Sequence, residues 1–307
     1  MKKIFYIFKP IIPRRVQLFL RRFLVKKQLN RYKDVWPISP GSQTKPEGWI
    51  GWPDGKDFAI VLTHDVELRD GHDKCKQLLE VEKEFGFKSS FNFVPKRYKV
   101  DKELREFIVS EGFEVGVHGL NHDGKLFRDK EIFSERAKKI NQYLKEWNSV
   151  GFRAPAMHHN LEWIGKLDIE YDLSTFDTDP FEPQPDGVDT IFPFWVEGKD
   201  GRPGYVELPY TLVQDFTLFI LMKEESPAIW IDKLDWIAEN GGMALVNVHP
   251  DYLNFENKYL LEEFPVRHFI ELLDYIKSKY EGKFWNELPL EVAAYYKRTI
   301  TMNRKCE

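Results

Sequence analysis

From residue 57 to about residue 280, short apolar runs alternate with segments whose apolar positions recur every three or four residues. FAIVLTH (58–64), KSSFNFV (88–94) and FEVGVH (113–118) have strand length and are rich in Val, Ile and Phe, and VGFRAP, DIEYDLS, GYVELPY and GMALVNVHP continue the series. Between them KCKQLLEVEKEFG and DKELREFIVSEG carry helical periodicity. FSERAKKINQYL places Phe133, Ala137, Ile140 and Leu144 on one helix face, and further helical stretches lie near 226–240 and 265–280. The predicted class is α/β, a mostly parallel sheet with helices outside. About seven strand–helix units in roughly 240 residues favour closure into a barrel over an open sheet.

Ahead of this region the pattern changes. Residues 13–30 have helical periodicity, with Val16, Phe19, Leu20, Phe23 and Leu24 near one face and Arg14, Arg15, Arg21, Arg22 and Lys26 mostly elsewhere. WPISPGSQTKPEGWIGWPDG (36–55) is rich in Pro, Gly and Trp and reads as an irregular connector that packs by its aromatics. The expected organisation is an arm and connector over 1–55, a barrel over 56–297 and a tail over 298–307.

Charge sharpens that division. Residues 1–33 hold eleven Lys or Arg and no acid, so the rest of the 307-residue chain carries 34 basic and 49 acidic residues, a balance of −15. A basic amphipathic helix suits an anionic membrane surface, and it equally suits docking on the acidic body. The arm lacks the broad basic face of a nucleic-acid binder, so no nucleic-acid partner is expected. The apolar start of the chain is broken by Lys9 and Pro10 with no small-residue cleavage site after it, and no run approaches the length of a bilayer span. With only two cysteines, Cys75 and Cys306, a disulfide framework is excluded. The body is expected to be cytoplasmic, at the inner face of the membrane if the arm binds lipid.

In a barrel the working residues sit at the carboxyl ends of strands. That rule collects His64, Asp65 and Glu67 after the first strand, His118 and His122 after the third, Arg153 after the fourth, Asp172 and Asp177 near the fifth and His249 after the last. The spacing in HGLNH suggests one helical turn, which would aim both imidazoles at one ion. Alone, such a pair is more often incidental than liganding. An acid from a neighbouring strand end changes the balance, because two His and one carboxylate form a recurrent set for zinc or another divalent metal.

Taken in order, LTHDVE, HGLNH, FRAPA, YDLSTFD and VNVHP resemble the successive motifs of the polysaccharide deacetylase family, carbohydrate esterase family four, over roughly residues 57–280. The resemblance implies a distorted (β/α)7 barrel and metal-dependent removal of an acetyl group from an acetylated sugar or glycan, with zinc the expected metal and cobalt or nickel as alternatives. It makes Asp65 the general base, His118 and His122 metal ligands, Arg153 the group that orients the catalytic aspartate, and His249 the general acid. Asp172 would belong to the catalytic set, orienting His249 or Arg153. The first motif departs from the commonest form, which has two adjacent aspartates; here Val66 follows Asp65. Some relatives use an acid–any–acid arrangement with the ligand second, which makes Glu67 the third ligand. Ala156 stands where the family usually has Tyr, so substrate contacts there reduce to a backbone N–H; Asp177 and His64 complete the expected substrate set. His158 and His159 are expected to face substrate or solvent, with solvent favoured. The acidic, aromatic stretch 176–198 could roof the site, with about half its large rings in the core. Rival readings are a hydrolase of a non-sugar amide and a catalytically silent glycan-binding protein.

Overall fold

The computed structural model describes residues 13–256 and 260–303. Residues 1–12, 257–259 and 304–307, including part of the basic arm and Cys306, lie outside the described residues.

The strands are β1 (Phe58–Val66), β2 (Ser89–Phe93), β3 (Glu114–His118), β4 (Gly151–Arg153), β5 (Tyr171–Asp172), β6 (Phe194–Val196), β7 (Tyr205–Glu207), β8 (Met243–Asn247), β9 (Leu253–Asn254), β10 (Phe264–Pro265) and β11 (Phe284–Asn286). The α-helices are α1 (Arg14–Tyr32), α2 (Arg69–Phe85), α3 (Lys102–Ser110), α4 (Lys130–Trp147), α5 (Leu161–Ile164), α6 (Ala228–Asn240), α7 (Arg267–Tyr280) and α8 (Pro289–Asn303). The main sheet runs β1-β2-β3-β4-β5-β7-β6, with β8 on the other edge of β1 and β11 beside its first three residues. Every pair is parallel except β6 with β7. The sheet curls, and the gap between β7 and β8 is bridged by backbone hydrogen bonds from Thr211 and Leu212 to Leu245 O. The expected distorted barrel is what forms, with closure left to a non-strand segment because β5 and β7 are only two and three residues long.

Local chemistry explains the elements. β1 is buried throughout, its alternate side chains facing the barrel interior and the helices outside while β2, β8 and β11 pair along its edges. In α4, Phe133, Ala137, Ile140, Leu144 and Trp147 recur at three or four residues and all are buried, each large side chain contributing about 2 kcal/mol by leaving water. Asp129 caps its start by accepting from Ile132 N. α2 stops at Gly86, whose φ of +75° closes the final turn, a conformation that costs glycine little. In the connector, Trp49 and Trp52 meet edge-on with centroids 4.8 Å apart, and Trp49 also meets Phe192. α8 runs without a break through residue 298.

The arm helix docks on the body by one face. Leu18 and Val25 are buried, Arg22 Nε donates to Ile220 O (2.9 Å), Arg21 lies over the Phe216 ring, and Arg14 pairs with Glu262. No helix among the described residues is long and apolar enough to cross a membrane.

Candidate active site and metal centre

Strand alternation divides the first motif. Thr63 and Asp65 point into the barrel, whereas His64 points outward, between β1 and the helices behind it, where Nδ1 meets Val248 O (2.9 Å) and Nε2 meets Glu82 Oε1 (2.8 Å). Fully buried there, His64 cannot touch substrate, which corrects its expected substrate-binding role. Glu67, two residues beyond Asp65, continues the inward face just past the end of β1. Its loop is clamped by Asp251, whose carboxylate accepts from the Glu67 and Leu68 N–H groups (2.8 Å each).

Asp65 is held on three sides. Oδ1 accepts from Asn92 Nδ2 (3.1 Å) and Arg153 Nη1 (3.2 Å), and Oδ2 accepts from Asn247 Nδ2 (2.9 Å). Burial by itself would raise its pKa; the charges of Arg153, His118 and His249 outweigh that and hold it down at about 2. Arg153, the last residue of β4, is fixed by donating Nε to Leu173 O and Nη1 to Thr63 Oγ1 (2.9 Å each).

HGLNH is not a helical turn. His118 ends β3, and Gly119 (φ +59°) and His122 (φ +52°) turn the chain sharply in left-handed conformations. The turn still brings the two rings together, with centroids 5.1 Å apart. His118 Nδ1 donates to Arg153 O (3.1 Å), which leaves Nε2 as the bare lone pair. Burial drives the His118 pKa down to about 4, so the ring is neutral. Glu67 Oε1 lies 2.9 Å from His122 Nε2, but the approach is out of hydrogen-bond alignment. Both Nε2 atoms are buried without a hydrogen-bond partner, and ligand atoms of Glu67, His118 and His122 all lie within 4.8 Å of one another. Two orphaned imidazole nitrogens and one carboxylate around a common point fit a divalent cation better than they fit each other.

Across this cluster, His249 Nε2 stands 3.9 Å from Glu67 Oε1. Its Nδ1 donates to Asp215 Oδ1 and its backbone N–H to Asp215 Oδ2, both at 2.7 Å. Burial alone would lower the His249 pKa; Asp215, then Glu67 and Asp65, outweigh it and lift the value to about 10. One side of the cleft thus carries a carboxylate that Arg153 favours in its basic form, and the other an imidazole that Asp215 favours in its acid form.

Asp215 is the residue that sequence reasoning missed, and Asp172 and Asp177 do not take its place. Asp172 is fully buried; its Oδ1 accepts from Ser174 Oγ (2.6 Å), and Ser174 in turn accepts from Ala154 N (2.8 Å). Burial raises its pKa beside Glu207, so it braces the barrel interior and orients neither His249 nor Arg153. Asp177 is fully buried against Lys233 Nζ (2.7 Å) and out of reach of substrate. Asn92 and Asn247 also went unread. Each had a signal: a lone amide between two Phe in the strand SSFNF, and an amide two residues before His249, hence on the same face of the extended chain.

Ala156 is exposed on the segment after β4, with φ +55°. Beside it a shallow cleft is lined by Asn121, His122, Phe127, Arg136, Pro155 and His158. His159 is tied to the 176–198 segment, its N–H donating to Gln184 Oε1 (3.2 Å), with Asp186 near its ring. In that segment Phe176 and Phe192 are core, while Phe181, Phe194 and Trp195 are half-buried. A wider groove along α8, near Glu170, Ala293 and Lys297, has none of this chemistry around it.

Three solved structures share the architecture. One assigned as a polysaccharide deacetylase from Mycobacterium smegmatis matches with a TM-score of 0.61 at 21% identity, over 83% of this chain and 96% of that one. Another so assigned, from Pseudomonas aeruginosa PAO1, matches with a TM-score of 0.62 at 15% identity, over 83% and 95%. This is the polysaccharide-deacetylase fold. The Puue allantoinase has it too, with a TM-score of 0.63 at 14% identity over 83% and 95%. No family model matches the chain, and no curated protein matches it by sequence. Within the polysaccharide-deacetylase fold, β1, β3, β4 and β8 deliver Asp65, His118, Arg153 and, just beyond β8, His249 to one cleft.

Proposed function

We propose that the protein is a metal-dependent hydrolase that removes the acetyl group from an N-acetylated sugar in polysaccharide or cell-envelope glycan metabolism. The observation that carries this reading is the orphaned pair His118 Nε2 and His122 Nε2 beside Glu67, set between Asp65, which is paired with Arg153, and His249, which is paired with Asp215. Glu67, His118 and His122 would hold the metal, zinc being the first choice for this donor set with cobalt or nickel acceptable. Such an ion supplies Lewis acidity toward an acyl oxygen and makes water acidic enough to attack near neutral pH.

The chain's own residues do the rest. Asp65, kept ionised by Arg153 and aimed by Asn92 and Asn247, takes the proton of the attacking water. His249 gives its Nε2 proton to the departing nitrogen, which leaves as the free amine, and Asp215 stabilises the ring in the charged form that precedes transfer. The N–H at Ala156 and the cleft beside His122 are available to the sugar. Half-buried Phe181 offers a ring in a segment rich in carboxylates, a composition suited to a glycan.

Metal content of protein purified without chelator, for wild type and Glu67→Ala side by side, tests the first step, and acetate release from a panel of N-acetylated sugars tests the second. About one equivalent of metal in wild type, lost in the variant, with acetate released from a sugar, is the expected result. Metal without any sugar activity but with hydrolysis of small amides would transfer the site to a non-sugar substrate. No metal after adding zinc, cobalt and nickel would make the protein a silent glycan binder.

A further inference from the structure

Helix α1 is apolar on two faces, and the body covers one of them. At 100° per residue, Leu18, Arg21, Arg22, Val25 and Leu29 form the docked side. On the opposite side Val16, Phe19, Leu20, Phe23 and Leu24 form a stripe that is 45, 67, 39, 63 and 56% exposed. A stripe of five large apolar side chains with two Phe rings facing water is more than scattered surface hydrophobicity. Arg15 and Lys26 flank it, and Lys27 and Arg31 continue it toward the helix end; all four are exposed.

We propose that this face docks the protein on an anionic lipid surface, and that the substrate is therefore an acetylated sugar carried on a lipid rather than a freely diffusing one. The second half rests on the hydrolase reading above; the first does not. Three observations favour a bilayer as the occupant. The helix contains no acid, and Asp34 is the first acid in the chain. Residues 1–12 add Lys2, Lys3 and Lys9 to Ile4, Phe5, Tyr6, Ile7 and Phe8, the same chemistry in sequence. A second copy seated on the stripe would oppose Arg15 and Lys26 to their own kind, and the stripe's exposed area, on the order of 500 Å², falls short of the roughly 800 Å² per partner of a stable dimer. Anionic headgroups meet the flanking cations while Phe19 and Phe23 enter the acyl boundary.

The docked side of α1 connects this surface to the site. Arg21 lies 4.9 Å over the ring of Phe216, the residue that follows Asp215. Arg22 holds Ile220 O, and Gln28 Nε2 donates to Pro180 O (3.4 Å) in the 176–198 segment. A helix resting on lipid by its outer face would therefore bring the loops carrying the His249 partner to the membrane.

The test uses the full chain and sedimentation with vesicles of phosphatidylcholine alone or with about one-third phosphatidylglycerol, for wild type and Phe19→Ser/Phe23→Ser. Wild type is expected to sediment with the anionic vesicles only, to be released by high salt, and to bind at least tenfold more strongly than the double variant. The variant should keep its melting temperature and its turnover of a soluble N-acetylated sugar, yet lose at least tenfold on the same sugar anchored to a lipid in those vesicles. Absence of vesicle binding by wild type overturns the docking proposal, as does a wild-type dimer in light scattering that the double variant dissolves. Vesicle binding without preference for the anchored sugar overturns the substrate class and leaves the docking. Vesicle binding in a protein inactive on every sugar refutes the hydrolase reading alone.

Discussion

Asp215→Asn isolates one part of the site. In the wild type one carboxylate serves three donors: Oδ1 accepts from His249 Nδ1 and from Phe216 N, and Oδ2 from His249 N, each at 2.7 Å. An amide of the same shape has only one acceptor atom. It can serve either the Oδ1 donors or the backbone N–H of His249, so one or more donors face an NH2 group unpaired. Loss of the negative charge also removes the main support of the charged imidazole. A charge-assisted bond exceeds a neutral one by about 1 kcal/mol, and an unpaired buried donor costs about 1–3 kcal/mol. Assigning about 2–3 kcal/mol of that to the proton-transfer step predicts a fall in kcat of roughly 30- to 150-fold. KM should change little, because Asp215 lies behind His249. The assay is acetate release against substrate concentration, with metal content and melting temperature measured on the same samples. Unchanged kcat would refute the assignment of His249 as acid held by Asp215. Loss of metal together with kcat would make Asp215 a support of the metal cluster instead.

Other substitutions separate the remaining roles. Asp65→Asn should lower turnover by about 10²- to 10⁴-fold while metal stays bound, since Asp65 lies outside the Glu67, His118, His122 set; retention of near-normal turnover would exclude Asp65 as base. Gly116→Ala should act on the same carboxylate from a distance. A Cβ at Gly116 would stand 2.0 Å from Asn92 Oδ1, so Asn92 must leave Asp65, and kcat should fall about tenfold, corresponding to one hydrogen bond of about 1.4 kcal/mol; Asn92→Ala measured alongside should show the same loss. Lys233→Met leaves Asp177 buried and unpaired and should cost about 3–5 kcal/mol in urea unfolding at pH 8. Burial already raises Asp177 to about 6 against an unfolded value of 3.8, so the unfolded chain sheds this proton first as pH rises and the carboxyl disfavours the fold above that window. Removing Lys233 pushes the value higher, so the deficit of the variant should be smaller at pH 5 than at pH 8, and an equal deficit at both would show that Asp177 does not titrate there.

Local patterns in the sequence are enough to determine much of this protein. Alternation and three-to-four periodicity depend on neighbours in the chain, so β1, β2, β3, α2 and α4 follow from their own residues, and repeated units of that kind imply the barrel. LTHDVE, HGLNH and VNVHP likewise carry Asp65, Glu67, His118, His122 and His249, because strand ends deliver whatever follows them to one rim. What tertiary structure decided is which polar residues meet. Asp215 reaches His249 across 34 positions and Asn247 reaches Asp65 across 182, and no periodicity links such pairs. Asp172, Asp177 and His64 sit near strand ends like the working residues, but burial against Ser174, Lys233 and Glu82 turns them into supports. The arm shows the same division. Its amphipathic pattern predicts a helix with an apolar stripe, but only packing shows that the body takes the opposite face and leaves Phe19 and Phe23 in water, since which side of a doubly apolar helix is buried depends on the shape it meets.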